Sequence, residues 1–124
     1  MVSIRIKRAY DKPEENDGYR VLVDRMWPRG VKKEDLKLDR WLKEIAPSNG
    51  LRQWFGHESD KWHEFRERYF KELSEKDESV RELIERARRG RIMLVFGAKN
   101  REKNNAVALK EYLTTVASSD DSDS

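Results

Sequence analysis

The sequence predicts a single α/β domain, a small, largely parallel sheet with helices packed against it. Three observations carry that expectation. Val21-Leu22-Val23 and Ile92-Met93-Leu94-Val95-Phe96 are almost wholly apolar and rich in β-branched residues, as strands covered on both faces are. The long stretch between them is mostly of helical pattern, and such a crossover favours parallel pairing, which brings both C-terminal strand ends to one edge. Ile4-Arg5-Ile6-Lys7-Arg8 alternates apolar and basic residues at period two, the mark of a strand with one wet face and hence of an outer strand.

At 124 residues, a single domain buries about 65–70% of the surface its unfolded chain exposes. Residues 1–117 are expected to form it, with 118–124 a Ser/Asp tail that has nothing to bury and stays disordered. There is no cysteine, which excludes disulfides and thiolate chemistry and points to a reducing, cytoplasmic setting. No leader-like or membrane-length apolar run is present, so no membrane association is expected. A single Gln beside abundant Lys, Arg and Glu leans toward a thermophilic source. The net charge of +3 conceals an asymmetry: between Tyr19 and His57 there are nine Lys/Arg against five Asp/Glu. That balance suits an anionic ligand.

Asp11–Gly18 reads as a polar connection with turn chemistry at Pro13, Asn16, Asp17 and Gly18. Asp24 ends the first central strand, and Trp27-Pro28-Arg29-Gly30 forms a rigid turn, because Pro28 fixes its own φ and pushes Trp27 out of the helical region. Leu38, Trp41, Leu42 and Ile45 sit at helical spacing, so a short helix is expected within 32–45, although Leu36 and Leu38 mix in a second period. Ser48 caps a helix through Leu51, Trp54 and Phe55 that stops at Gly56. Trp62, Phe65, Tyr69 and Leu73 recur at intervals of 3, 4 and 4 and make Ser59–Ser74 strongly amphipathic. Ser79 and Glu82 have the spacing of a capping box for a helix over 80–89, closed by Gly90. After the second apolar strand, Asn100 is placed to cap a last helix whose buried stripe is Ala106, Leu109, Leu113 and Val116.

Two parallel strands that end together would bring Asp24, Arg25 and Arg29 close to Lys99, Asn100 and the start of the last helix. The chemistry assigns Arg25 or Arg29 as a bidentate clamp on an anion, Lys99 as a compact positive charge, and Asp24 as a base or hydroxyl acceptor. Trp27 or Trp54 would stack on a flat ring. His57, in the loop after Gly56, is the candidate for proton transfer near neutral pH. The same residues equally suit a plain Asp–Arg pair at a strand end with Lys99 solvated. His57, Asp60 and His63 are too few for a metal site without cysteine, and no Walker or GxGxxG loop occurs, so neither metal nor cofactor is expected.

The series Gly18-Tyr19-Arg20-Val21-Leu22-Val23-Asp24-Arg25, Trp27-Pro28-Arg29-Gly30, Ala46-Pro47-Ser48, Leu51-Arg52, Trp54-Phe55-Gly56-His57, Ala98-Lys99-Asn100 and Asn104-Asn105-Ala106 resembles the YeaO-like branch of the family called domain of unknown function 488. The resemblance spans about residues 3 to 115. It singles out the Asp24–Gly30 loop and Asn104 as family features and implies no reaction, since fold likeness supplies no substrate. The family's last motif usually reads Asn-His-Ala; here Asn105 stands in place of the His, so any proton transfer by that His in relatives is lost.

The preferred functional expectation is a small enzyme or binding protein for a phosphorylated or nucleotide-like anion. The alternative is a nucleic-acid-binding module using the basic 19–57 region with Trp27 and Trp54. Oligomeric state has no signature in the sequence.

Overall fold

The computed structural model describes residues 2–122. Four strands, β1 (Ile4–Arg8), β2 (Tyr19–Leu22), β3 (Arg40–Trp41) and β4 (Ile92–Phe96), form one sheet in the order β1-β4-β2-β3, and every pairing is parallel. The expected α/β class is therefore observed. β1 lies at an edge, as its alternation predicts. The two apolar runs are neighbours in the centre, with Val21 opposite Leu94 and Leu22 opposite Val95. Val23 extends the ladder by donating its N–H to the Val95 carbonyl at 3.0 Å.

Side-chain alternation in β4 divides the core in two. Ile92, Leu94 and Phe96 face the larger cluster, where α2 (Asn49–Phe55), α3 (Trp62–Leu73), α4 (Asp77–Arg89) and α5 (Asn105–Ser122) contribute Leu51, Phe65, Leu83 and Leu109. Met93 and Val95 face a smaller cluster with Leu22 and with Leu36 of α1 (Lys33–Leu36), flanked by Trp27, Val31, Leu38 and Trp41. Both faces of the central strands are thus covered, which is why their sequences show no polar alternation.

The Ser48 and Gly56 signals act as expected. Ser48 Oγ accepts the Leu51 N–H, and Gly56 closes α2 in the left-handed region. The aromatic stripe of α3 is core, with Phe65 stacked between Phe55 and Tyr69. Three local expectations are corrected. The 32–45 segment is not one helix: Lys37 adopts φ 50 and ends α1, Arg40–Trp41 pairs with β2, and Lys43–Ile45 is a single 3-10 turn. Tertiary contacts decide this, because buried Arg20 takes the Leu36 carbonyl through Nε and Nη2, and the Asp39 carboxylate takes the Arg20 N–H. Second, α4 begins at Asp77 rather than at a Ser79 capping box. Asp77 and Glu78 favour the extra turn by facing the positive end of the helix dipole. Third, α5 is capped by Asn104, whose Oδ1 accepts the Val107 N–H, whereas Asn100 Oδ1 takes the Glu102 and Lys103 N–H groups in the preceding turn. The helix then runs on to Ser122, into the segment expected to be an unstructured tail, and Asp120 there meets Arg81. Asp123 and Ser124, the end of that expected tail, lie outside the described residues. No helix among those described is long and apolar enough to cross a membrane.

Candidate functional site

The chain leaves β2 and β4 in opposite directions. From β2 it passes through Trp27–Val31 to α1 against the smaller cluster; from β4 it passes through Gly97–Asn104 to α5 against the larger one. Adjacent parallel strands whose exits diverge open a crevice at their C-terminal ends, the usual place for a ligand in an open α/β sheet. A cavity of about 260 Å³ lies there.

Asp24 is its centre. Oδ2 accepts the Gly97 N–H at 2.8 Å and Oδ1 accepts Asn105 Nδ2 at 2.9 Å. The second Nδ2 proton of Asn105 goes to the Val23 carbonyl at 3.1 Å, so one amide from α5 spans the end of β2 and fixes the Asp24 rotamer. Gly97 is small for a reason: a Cβ there would lie 3.1 Å from Asp24 Oδ2. Behind the carboxylate, the Asp24 carbonyl accepts Trp41 Nε1 at 2.7 Å. Burial pushes the Asp24 carboxyl above its ordinary range, while the Asn105 and Gly97 hydrogen bonds and the charges of Arg52 and His57 pull the other way.

Three arginines line the same cavity, Arg25, Arg29 and Arg52. Arg25 follows Asp24 directly, and its Nε is buried with no hydrogen-bond partner among the described residues. Buried donors are nearly always paired, so an orphan beside a cavity marks a position that an acceptor would satisfy. Lys76 lies close enough to Arg25 to feel its charge; burial, together with that neighbour, holds the Lys76 ammonium below its ordinary range despite Glu72. Tyr10, Trp27, Pro28, Phe55 and Phe65 supply apolar walls. Tyr10 and Met26 are the exposed large hydrophobic residues of the described chain, and both stand at this cavity.

Of the residues expected from sequence, Asp24, Arg25, Trp27, Arg29, His57 and Asn104 meet here. His57 sits at φ 61, an uncommon conformation for a residue with a Cβ. Three expected residues do not line the cavity. Lys99 and Asn100 are exposed in the turn before α5, and Trp54 packs against the larger core cluster with Arg68 and Lys61 over its ring. An Asn100 cap at the start of the last helix would have placed Lys99 at the strand ends; the later cap at Asn104 inserts a turn instead. Sequence reasoning passed over Tyr10, Arg52 and Asn105 as site residues. Arg52 and Asn105 stood within the family-like series, the second as the departure from Asn-His-Ala, and that was their available signal. His63 lies on the surface of α3 paired with Glu67, away from His57.

Comparison with known proteins adds the family. The model described as "Inactive DUF488-N3 subclade" matches residues 3–124. The chain is 44% identical over 115 residues to "Uncharacterized protein YeaO" of Escherichia coli (strain K12), covering 93% of this chain and 100% of that one. It is 34% identical over 110 residues to "Uncharacterized protein Rv3073c" of Mycobacterium tuberculosis (strain ATCC 25618 / H37Rv), covering 89% and 92%. No solved structure matches. A family model spanning nearly the whole chain, with a relative aligned end to end, places the sequence in the YeaO-like branch of the DUF488 family, within the subclade so described.

Proposed function

We propose that the chain binds a small phosphorylated or nucleotide-like anion in the cavity beside Asp24, and that binding rather than turnover is its role. The observation that carries this reading is the convergence of Arg25, Arg29 and Arg52 on one cavity, with the buried Arg25 Nε lacking an acceptor. Guanidinium forks match phosphate oxygens in pairs, and a partly desolvated site strengthens each contact. Two features argue for binding over catalysis. The group that contacts Asp24 from α5 is the amide of Asn105, which carries no titratable proton, and the family model is described as inactive. Asp24 and His57 remain the groups to examine for any residual proton transfer. The cysteine-free chain suits a reducing, cytoplasmic setting.

The nucleic-acid alternative finds less support. Trp54 has both Arg68 and Lys61 over its ring, and Trp27 is held edge-on to Trp41 at 5.3 Å with Nε1 donated to the Val31 carbonyl. Neither ring is the open platform that sequence-tolerant stacking uses.

Calorimetric titration with inorganic phosphate and with a nucleoside monophosphate tests the proposal. Saturable binding at one site, weakened at least about tenfold in Arg25→Met while the melting temperature stays put, is the expected result. Heats indistinguishable from dilution for both compounds would remove the anion site, and tight, salt-sensitive binding of single-stranded oligonucleotides alone would transfer the role to the alternative.

A further inference from the structure

Resting on that reading, we infer that the anion is carried by a polyol: the cavity is built for a small phosphomonoester with free hydroxyl groups, such as a phosphorylated polyol or monosaccharide. Three features of the cavity select that class together. The first is charge. Arg25, Arg29 and Arg52 oppose the single carboxylate of Asp24, an excess of positive charge that a phosphomonoester dianion balances better than a carboxylate monoanion.

The second is acceptor capacity. An ionised carboxylate offers about four lone-pair positions. Asp24 uses one on each oxygen, for Gly97 and for Asn105. The remaining capacity belongs to a side chain that lines the cavity and that burial has already partly stripped of water. A ligand hydroxyl donating to it regains what desolvation cost, whereas a ligand with no donor leaves the carboxylate underpaired among phosphate oxygens. An alkyl phosphate ester dianion, which carries no donor, satisfies the arginines and fails Asp24.

The third is the wall and the size. Trp27, Phe55 and Phe65 line the cavity beside its charged groups, apolar neighbours for the C–H groups of a sugar or polyol. Its volume of about 260 Å³ falls below the roughly 300–1,000 Å³ of sites for drug-sized ligands. A dinucleotide is excluded on that ground, and a single small phosphorylated skeleton fits.

The test compares inorganic phosphate, propyl phosphate, glycerol 3-phosphate and ribose 5-phosphate by calorimetry on the wild-type chain. Hydrogen bonds to a charged acceptor contribute about 1.5–3 kcal/mol, so glycerol 3-phosphate should bind at least about tenfold more tightly than propyl phosphate, which matches it in carbon chain but lacks the hydroxyls. In Asp24→Asn that advantage should shrink to about twofold or less, while phosphate itself, relieved of a like charge, binds at least as tightly as to the wild type. Binding of phosphate and propyl phosphate with no gain from hydroxyls would overturn the polyol inference and leave the anion site intact. No binding of any of the four would overturn both. The ligand comparison needs no variant, so a destabilised Asp24→Asn does not weaken it.

Discussion

Replacing Asp17 by Ala should cost about 3 kcal/mol of folding stability while leaving anion affinity unchanged. Asp17 and Arg20 are each 3% exposed, and the carboxylate accepts Arg20 Nη1 at 2.6 Å, Lys7 Nζ at 2.8 Å and the Glu14 N–H at 3.1 Å. Removing one partner of a buried pair strands the other charge, at about 3–5 kcal/mol. The lower end applies because Arg20 keeps both donors on the Leu36 carbonyl and Lys7 keeps Glu14 and the Lys12 carbonyl. For a chain of this size that loss lowers the melting temperature by about 10–15 °C. Burial raises the Asp17 carboxyl, but the Lys7, Glu14 and Arg20 hydrogen bonds outweigh it and hold it below its ordinary range. Its stabilisation is therefore complete above the unfolded value of about 3.9 and is lost as pH falls through the depressed folded value, so the variant should show a flatter acid limb. Urea denaturation at pH 7 and across the acid range measures both effects. Arg20→Met combined with Asp17→Ala leaves no orphan charge but strands the Leu36 carbonyl, so the double variant should cost less than the two singles summed. A single-variant loss below about 1 kcal/mol, or a double variant worse than the two singles summed, would refute the account.

Two further outcomes follow from local geometry and charge. Gly18 (φ 79) and Gly30 (φ 78) share a left-handed backbone, but a Cβ at Gly18 would lie 2.3 Å from the Arg91 carbonyl oxygen, whereas Gly30 has nothing within 4 Å. Gly30→Ala should cost about 1–2 kcal/mol from backbone strain alone and Gly18→Ala about 1–3 kcal/mol more, and equal midpoints in denaturant would contradict the close approach. The Asp24 carboxyl, raised by burial, should titrate above about 3.9 when followed by the NMR shift of its carboxyl carbon. Because the folded state then holds that proton more tightly than the unfolded one, Asp24 lowers stability as pH rises through the window between the two values, opposite in sign to Asp17. A midpoint below the ordinary value would mean that Asn105, Gly97, Arg52 and His57 dominate over burial.

What was legible in the sequence was what repeats. The period-two run at 4–8, the unbroken apolar runs and the spaced aromatic residues of α3 each encode burial over several consecutive residues, and each forms the expected element. The two-residue strand Arg40–Trp41 has too little length for a period and exists because β2 offers an open edge and Arg20 holds Leu36 beside it. The choice between Asn100 and Asn104 as helix cap was equally hidden, since both have the right side chain and only the observed hydrogen bonds separate their roles. For the site, the residues contiguous with β2 were readable because strand ends are where charged groups collect. Arg52 was not, because α2 reaches the cavity only through packing of Leu51 and Phe55 into the core.

Asp24 is held by a backbone amide of the neighbouring strand exit and a side-chain amide from α5. A chain reading Asn-His-Ala at 104–106 would carry an imidazole at position 105, on the same helix turn and next to the same carboxylate. Such a pair can exchange a proton, since a carboxylate beside an imidazole orients it and favours its charged form. The amide of Asn105 preserves the orientation and removes the exchange: it donates to Asp24 and to the Val23 carbonyl with the two protons of one nitrogen, and neither leaves near neutral pH. The arginines around the cavity do not depend on that exchange. Under the binding reading, an amide at position 105 therefore leaves Asp24 without a titratable neighbour on α5 and leaves the arginines of the cavity in place.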